Sequence, residues 1–272
     1  MPDSPSTLTA RATYIGGPTV LLEVGGFRLL TDPTLDPGGT QYPTAVYTLR
    51  KRHGPAISAA ELPAIDAVLL SHDHHFDNLD RAGRLLVERA PVVFTTSAGA
   101  ERLGGNALPL ALWTSRMLGA PGRAALRLTG TPARHGPPGG DRGPVTGFLI
   151  TDASVMEAPE TPAIYLSGDT VWYEELASIA TKADVRVAFL FGGAARVHEV
   201  GPAHLTMTAN EMVTAARAFP HALVVPLHYE GWAHFSQGRT EIESAFDAAS
   251  LSARLLWLPP GRATELSLGT RE

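Results

Sequence analysis

The sequence predicts an α/β protein in which helices cover β-sheets. Three observations support this: strand-like and helix-like segments alternate along most of the chain, the beginning is rich in strand signals, and no change of composition marks a linker. Of the 272 residues, 44% are apolar and 18% are charged, as in ordinary globular proteins. We therefore expect one domain over residues 9–272, after a disordered tail over residues 1–8.

The first strands are separated by glycine pairs, which are typical of hairpin turns. Gly16-Gly17 and Gly25-Gly26 are these pairs. A loop rich in Pro and Gly then runs from Asp32 to about Pro63, and loops of this length are usually functional or mobile. The predicted strands before it cover residues 11–15, 19–24 and 27–31.

After that loop, short apolar runs and helix-like segments alternate, which favours sheets covered by helices. One helix start is marked by the capping-box spacing of Thr208 and Glu211. Two strands flank a Gly- and Pro-rich loop between Leu126 and Thr151. The other predicted strands cover residues 67–70, 91–95, 163–166, 185–191, 222–225 and 254–258. The predicted helices cover residues 81–90, 98–103, 172–182, 208–219 and 240–249.

The composition excludes several kinds of site. The chain has no cysteine, which excludes disulfides, thiolate metal sites, iron–sulfur clusters and a cysteine nucleophile. The formal net charge is −5 and no basic stripe stands out, so we expect no nucleic-acid partner. The N-terminus has no secretory signal pattern, and no apolar run approaches the ~20 residues of a membrane span. These features predict a cytoplasmic protein, and they leave its oligomeric state open.

Polar side chains are concentrated directly after the predicted strand at 67–70. Residues 69–80 read LLSHDHHFDNLD. On an extended chain, His72 and His74 would lie on the same side, and Asp77 would reach the same cavity after a turn. The ends of strands are also where α/β proteins tend to bind ligands. We interpret this segment, called the hook below, as a metal-binding segment. The alternative is a polar turn with a helix N-cap at Asp77 or Asn78.

Three further strands end in a residue of the metal-binding type. His135, Asp169 and His228 each follow an apolar strand within a few residues. Each one alone is better explained as a hydrogen-bonded core histidine or a capping aspartate. Together with the hook, however, four such strand ends favour a shared metal site.

These motifs resemble the metallo-β-lactamase-fold hydrolase superfamily, most closely its branch with ascorbate-6-phosphate lactonase and the N-acyl-phosphatidylethanolamine phospholipase. The resemblance implies a four-layer αββα sandwich, and one or two divalent metal ions, with Zn²⁺ and Mn²⁺ favoured. The matching segments are Thr31-Asp32-Pro33, Ser71-His72-x-His74, residues 133–137 (ARHGP), Gly168-Asp169-Thr170 and Pro226-Leu227-His228.

Carried over residue by residue, the resemblance implies two metal sites that share one bridging ligand. The first metal would be held by His72, His74 and His135, the second by Asp77 and His228, with Asp169 between them.

The hook departs from the usual His-x-His-x-Asp-His pattern. One residue is inserted, and Asn78 stands where the final histidine belongs. Because an asparagine offers only a neutral carbonyl oxygen, the second site is either richer in oxygen ligands or only partly occupied. His75 either replaces the missing ligand or points away.

The reaction that the resemblance implies is hydrolysis of a lactone, phosphodiester or related ester or amide bond of a small molecule. A metal-bound hydroxide would be the nucleophile, and no Gly-x-Ser-x-Gly motif is present. Asp77 or Asp169 would orient the hydroxide. His234 either contacts the substrate and helps to stabilise the oxyanion or leaving group, or belongs to an aromatic-rich packing loop. The alternative is a metal-binding protein with weak or no hydrolase activity, acting as a sensor or assembly component.

The sequence alone leaves the roles of several other polar residues open. Asp32 is either a group that orients a metal ligand or a turn residue. Asp80 is interpreted as an acid at a helix N-terminus rather than a ligand. His198 and His204 are weaker candidates for substrate contact. The basic cluster over residues 50–53 either attracts an anionic substrate or is a solvated loop.

Overall fold

The computed structural model describes residues 8–139 and 142–269. Within them, fifteen strands and four α-helices are connected by loops and three 3₁₀ segments. The strands are β1 (Ala10–Gly16), β2 (Thr19–Val24), β3 (Phe27–Thr31), β4 (Gln41–Pro43), β5 (Thr48–Arg50), β6 (Ala67–Leu69), β7 (Val93–Thr95), β8 (Ala107–Pro109), β9 (Ser115–Leu118), β10 (Leu126–Thr131), β11 (Gly147–Asp152), β12 (Pro162–Leu166), β13 (Asp184–Phe191), β14 (Leu223–Leu227) and β15 (Ala263–Leu266). The helices are α1 (Arg81–Val87), α2 (Ser97–Leu103), α3 (Ala209–Ala218) and α4 (Arg239–Ala248), and the 3₁₀ segments are Glu174–Thr181, His198–Val200 and Ser252–Arg254.

Two large sheets form the centre of the fold. The first has the strand order β15-β1-β2-β3-β6-β7-β8 and the second has the order β14-β13-β12-β11-β10-β9. Strands β3, β6, β7 and β8 run parallel, as do β12, β13 and β14. Because the carboxyl ends of parallel strands lie at one edge of a sheet, the residues that follow β6, β12 and β14 can converge.

The two sheets pack face to face over one apolar core, and helices cover their outer faces. Phe27 from the first sheet and Phe148 and Phe189 from the second belong to the same inner cluster. Outside the second sheet, Glu174–Thr181, α3 and α4 bury apolar side chains against Tyr165 and its neighbours. Outside the first sheet, α1 and the segment around α2 cover Val68 and nearby residues. The predicted αββα sandwich is therefore confirmed.

Most predicted elements form, and the exceptions have local causes. The predicted loop after Asp32 contains the short hairpin β4–β5, whose strands bury only Tyr42 and Leu49, too few residues for an alternating pattern to be visible. The predicted strand at 254–258 is reduced to an isolated bridge between Leu255 and Val224, because residues 252–254 form a 3₁₀ segment. The predicted helix at 172–182 is 3₁₀, and β8, β9 and β15 were missed.

The predicted tail lies outside the described residues except for Leu8, which is buried. The single domain stays a prediction. Among residues 8–139 and 142–269, none of the helices has the length and apolar character needed to cross a membrane.

The N-terminus of α3 provides a test of the fold. The Thr208 hydroxyl accepts a hydrogen bond from the Glu211 backbone N–H at 3.2 Å, and the Glu211 carboxylate accepts from the Thr208 N–H at 2.8 Å. We expect Thr208→Ala to lower the free energy of unfolding by about 1 kcal/mol, measured by urea denaturation. Thr208→Ser should keep most of that stability, and Thr214→Ala, at an exposed position of the same helix, is the control. Equal stability of Thr208→Ala and wild type would contradict the capping role.

Candidate metal centre

Four strand ends bring their polar side chains to one place. The hook follows β6, His135 follows β10, Asp169 follows β12 and His228 follows β14. Most of these side chains are buried, and His74 and His75 of the hook are half-buried. Three groups of ring nitrogens and carboxylate oxygens lie close enough to hold a metal ion: His72–His74–His75, His72–His135–Asp169 and Asp77–Asp169–His228.

The hook is a tight turn rather than an extended chain. β6 ends at Leu69, and the backbone N–H groups of Asn78 and Leu79 both donate to the His75 carbonyl, at 3.3 and 3.0 Å. This turn lies after His74, and the rings of His72 and His74 are 4.8 Å apart in one metal-type group, on the same side as predicted. His74 Nε2 also donates to the backbone carbonyl of Arg142, at 2.8 Å.

The inserted residue brings His75 into the position between two other histidines. His75 Nδ1 lies 3.0 Å from His72 Nε2 and 3.1 Å from His135 Nε2. His135 Nε2 also lies 3.6 Å from an Asp169 oxygen. Tetrahedral ligands about 2.1 Å from Zn²⁺ are about 3.4 Å apart, so these three separations are close to those within a zinc ligand set. This cluster of His72, His75, His135 and Asp169 is called the first cluster below.

Hydrogen bonds behind the first cluster fix which ring nitrogens face inward. The Ser71 hydroxyl donates to the Asp32 carboxylate at 2.6 Å, so it accepts from His72 Nδ1 at 2.9 Å. His135 Nδ1 donates to the Leu205 carbonyl at 2.9 Å. Both arrangements leave the Nε2 lone pair free for a cation. Asp32 therefore orients a histidine of the cluster, the first of its two interpretations.

Burial dominates the titration of this region when no cation is bound. It lowers the pKa of His72 and of His135, and it lowers the pKa of His75 to about 3. Burial also raises the pKa of Asp32 to about 8, against the hydrogen bonds from Ser71. The imidazoles are thus held neutral, which is the form that binds metal.

A second cluster contains Asp77, Asp169 and His228. His228 Nε2 lies 3.4 Å from one oxygen of Asp169 and 3.6 Å from Asp77 Oδ2. Burial opposes protonation of His228, but the two carboxylates outweigh it and raise the pKa to about 10. The same histidine holds the pKa of both carboxyls below the usual range against burial. Such mutual compensation is what a cation would otherwise supply.

Asn78 and His234 lie at the margin of the second cluster. Asn78 donates a hydrogen bond to Asp169 Oδ1 at 3.3 Å, and His234 Nε2 lies 3.0 Å from Asp77 Oδ2. Neither Asp77 nor Asn78 caps a helix, so the alternative interpretation of the hook is wrong. The N-cap of α1 is Asp80, whose carboxylate accepts from the Gly83 N–H at 2.8 Å, as predicted for an acid at a helix N-terminus.

Several buried polar atoms near the clusters have no hydrogen-bond partner among the described residues. They are both ring nitrogens of His228, Asn78 Oδ1, His74 Nδ1 and His234 Nδ1. Buried polar atoms are rarely left without a partner. Divalent cations bound by imidazole, carboxylate and amide oxygen would satisfy such atoms. The residues present therefore fit the implied metal ions.

Other predicted residues lie elsewhere. His204 Nε2 pairs with Glu211 at 3.0 Å, and His198 opens an exposed 3₁₀ segment, so neither joins the described metal-type groups. The basic cluster at 50–53 does not act as a unit: Arg50 bonds Gln41 and Lys51 is buried against Asp80 at 2.9 Å.

Sequence reasoning missed the neighbours that come from distant segments. The Phe235 ring lies 4.8 Å from the His228 ring and 4.7 Å from the His234 ring. Arg102 forms a two-pronged ion pair with Asp73, inside the hook. Only the aromatic residues flanking His234 were visible as a signal in the sequence.

Comparison with known proteins agrees with this geometry. The beta-lactamase superfamily domain matches residues 27–229. The chain belongs to the beta-lactamase superfamily. UPF0173 protein YddR of Bacillus subtilis is 25% identical over 254 residues, which cover 90% of this chain and 95% of the relative. A UPF0173 metal-dependent hydrolase of Pyrobaculum aerophilum is 27% identical over 252 residues, which cover 91% and 96%.

Solved structures show the same superfamily fold. An isothiocyanate hydrolase from Delia radicum gut bacteria superposes with a TM-score of 0.77 at 20% identity, covering 94% of this chain and 99% of that one. A metallo hydrolase from Ignicoccus hospitalis superposes with a TM-score of 0.70 at 21% identity, covering 95% and 99%. The names of the relatives agree with the predicted enzyme class, a metal-dependent hydrolase of this superfamily. The closer resemblance to the ascorbate-6-phosphate lactonase branch stays a prediction.

Proposed function

We propose that this metal-dependent hydrolase holds two divalent metal ions, one at each cluster, and cleaves a lactone, phosphodiester or related ester or amide bond of a small molecule. The observation that carries the proposal is the position of Asp169. One of its oxygens faces His135 at 3.6 Å and the other faces His228 at 3.4 Å. A buried carboxylate with one oxygen toward each ligand group is suited to bridge two ions.

The two ligand sets share Asp169. The first set contains three histidines and the second contains a second carboxylate and one histidine. We assign His72, His75 and His135 to the first ion and Asp77 and His228 to the second, with Asn78 Oδ1 as an additional oxygen. His74 is the alternative to His75: its Nε2 donates to the Arg142 carbonyl, and its buried Nδ1 has no hydrogen-bond partner among the described residues and is free for a cation.

The protein's own side chains can orient the attacking water and protonate the leaving group. When bound, the metal ions would lower the pKa of a water molecule and stabilise negative charge in the transition state. Asp77 accepts a hydrogen bond from His234 Nε2 at 3.0 Å, which keeps a proton at an atom beside the second cluster. His234 is thus placed to donate a proton to a leaving group, and Asp77 or Asp169 to orient the attacking water.

The chemistry of the two ligand sets bears on the choice of metal. Three imidazoles favour Zn²⁺, whereas a set of carboxylates and an amide oxygen accommodates Mn²⁺ as well. We propose Zn²⁺ or Mn²⁺ at both sites. The cytoplasmic location stays a prediction.

The metal content of the purified protein tests this function. We expect about two equivalents of metal per chain by plasma mass spectrometry when no chelator is used. His72→Ala and His135→Ala should lose metal and also lose hydrolysis of bis-p-nitrophenyl phosphate and of a γ-lactone. His204→Ala, a histidine outside the clusters, is the matched control. Full metal content and activity in His135→Ala would refute the assignment.

Substitution of Asn78 distinguishes an enzyme from the alternative function, a metal-binding protein with weak activity that acts as a sensor or assembly component. Asn78 is fully buried, and its amide bonds Asp169. If the native second site is functional, Asn78→His should lower kcat/KM by about 10- to 100-fold, because the larger ring displaces that carboxylate. A rise in kcat/KM would indicate an impaired native site and favour the alternative.

A further inference from the structure

We propose that Arg142 and Tyr47 form an anion-binding subsite beside the metal centre, so that the preferred substrate carries a carboxylate or phosphate group near the bond that is cleaved. This inference rests on the proposed function, because the subsite borders the same centre. It assigns the anion to a place other than the basic cluster at 50–53.

The backbone of Arg142 is bonded to His135 on one side of its α-carbon and to His74 on the other. Its N–H donates to the His135 carbonyl at 2.7 Å, and its own carbonyl accepts from His74 Nε2 at 2.8 Å. The next residue, Gly143, has φ +103°, and a Cβ there would lie 2.9 Å from His74 Nε2. Arg142 and Gly143 therefore pack directly against His74 and His135, and the half-buried Arg142 side chain begins beside these two histidines.

Tyr47 reaches the same edge from the β4–β5 hairpin. Its half-buried ring packs in one apolar cluster with Phe76 and Phe235, and in another with Leu205. Phe76 lies inside the hook, Phe235 contacts His228 and His234, and the Leu205 carbonyl holds His135. The apolar clusters that include Tyr47 therefore adjoin residues beside both the first and the second cluster.

The Tyr47 hydroxyl remains a hydrogen-bond donor. Burial and the Asp77 carboxylate raise the pKa of Tyr47, although Arg142 opposes them. A protonated phenol beside a guanidinium offers converging donors and no negative charge.

The charge of Arg142 lacks a carboxylate partner among the contacts that the structure describes. Neighbouring arginines are already engaged: Arg84 and Arg102 bind Asp73, and Arg134 stacks on Tyr173 at 4.3 Å. A half-buried guanidinium beside a neutral hydroxyl is suited to a charge-assisted, two-pronged bond with a carboxylate or phosphate.

Paired substrates test the subsite. The metal-loaded wild type is compared with Arg142→Met on mono-p-nitrophenyl succinate and on its neutral analogue p-nitrophenyl butyrate. We expect kcat/KM for the anionic ester to fall about 10- to 100-fold and that for the neutral ester to stay within about twofold. Arg50→Met, which removes an exposed arginine on the hairpin that carries Tyr47, should change neither. Arg142→Lys should recover part of the loss because it keeps the charge.

Binding measurements separate this inference from the proposed function. Calorimetric titration with inorganic phosphate and with succinate needs no turnover, and Arg142→Met should weaken the binding of at least one of them about tenfold or more. The anion with the larger loss identifies whether a phosphate or a carboxylate is preferred. Weakened binding without hydrolysis of any substrate would refute the function and leave the subsite standing.

Equal losses on both esters, or unchanged anion affinity in Arg142→Met, would overturn the subsite. If Arg142→Met binds less metal than wild type, Tyr47→Phe replaces it as the test. That variant should lower kcat/KM for the anionic ester alone, by about threefold or more, because one donor is lost.

Discussion

Asp169→Ala is expected to reduce the bound metal from about two equivalents per chain to about one or fewer, and to lower kcat by about 10³-fold or more. Asp169 is the residue common to both clusters, and it is buried. Its removal leaves His228 and His135 facing a space without the carboxylate that compensates a cation. Plasma mass spectrometry and initial rates on bis-p-nitrophenyl phosphate measure the two effects.

The control for this substitution is Asp66→Ala, which removes a surface carboxylate paired with Arg123. Asp169→Asn is a second test, because it keeps the shape of the Asp169 side chain and removes its negative charge. Loss of activity with full metal content would mean that Asp169 acts without bridging the ions. Retention of both metal and activity would refute the two-metal centre.

The sequence was most informative where a buried strand is followed within a few residues by a histidine or aspartate. The strand before the hook and the strands before Asp169 and His228 are short, mainly apolar runs, and a residue within three positions of each end belongs to a metal-type group. An apolar run that ends in His or Asp indicates both the strand and its end. The strand layout therefore also predicted which side chains would meet.

The conformation within the hook could not be predicted in the same way. Whether His74 or His75 faces inward depends on the turn closed by the His75 carbonyl and on the bond from His74 to Arg142, 68 positions away. Contacts over such separations are not visible in local patterns. The hairpin that carries Tyr47 could not be predicted for a different reason: its two strands are only three residues long, too short for an alternating pattern.

His75→Ala is therefore expected to weaken metal binding more than His74→Ala does. His75 Nδ1 lies within 3.1 Å of ring nitrogens of both His72 and His135, whereas His74 has no such contact among the described hydrogen bonds and only its Nδ1 is free for a cation. Loss of a direct ligand should cost about 100-fold or more in affinity, and loss of a supporting contact about tenfold. Competition with a chromophoric chelator measures the Kd of Zn²⁺ for each variant.

The spectrum of the Co²⁺-substituted protein gives a second readout that does not depend on activity. His75→Ala should change the visible absorption of the bound Co²⁺, because a nitrogen ligand is lost, and His74→Ala should leave the band positions in place. His204→Ala is the control for removing an imidazole near the centre. A reversed order of the two variants in both readouts would restore His74 as the ligand. His74 would then bind the metal through Nδ1, which has no hydrogen-bond partner among the described residues, while Nε2 keeps its bond to the Arg142 carbonyl.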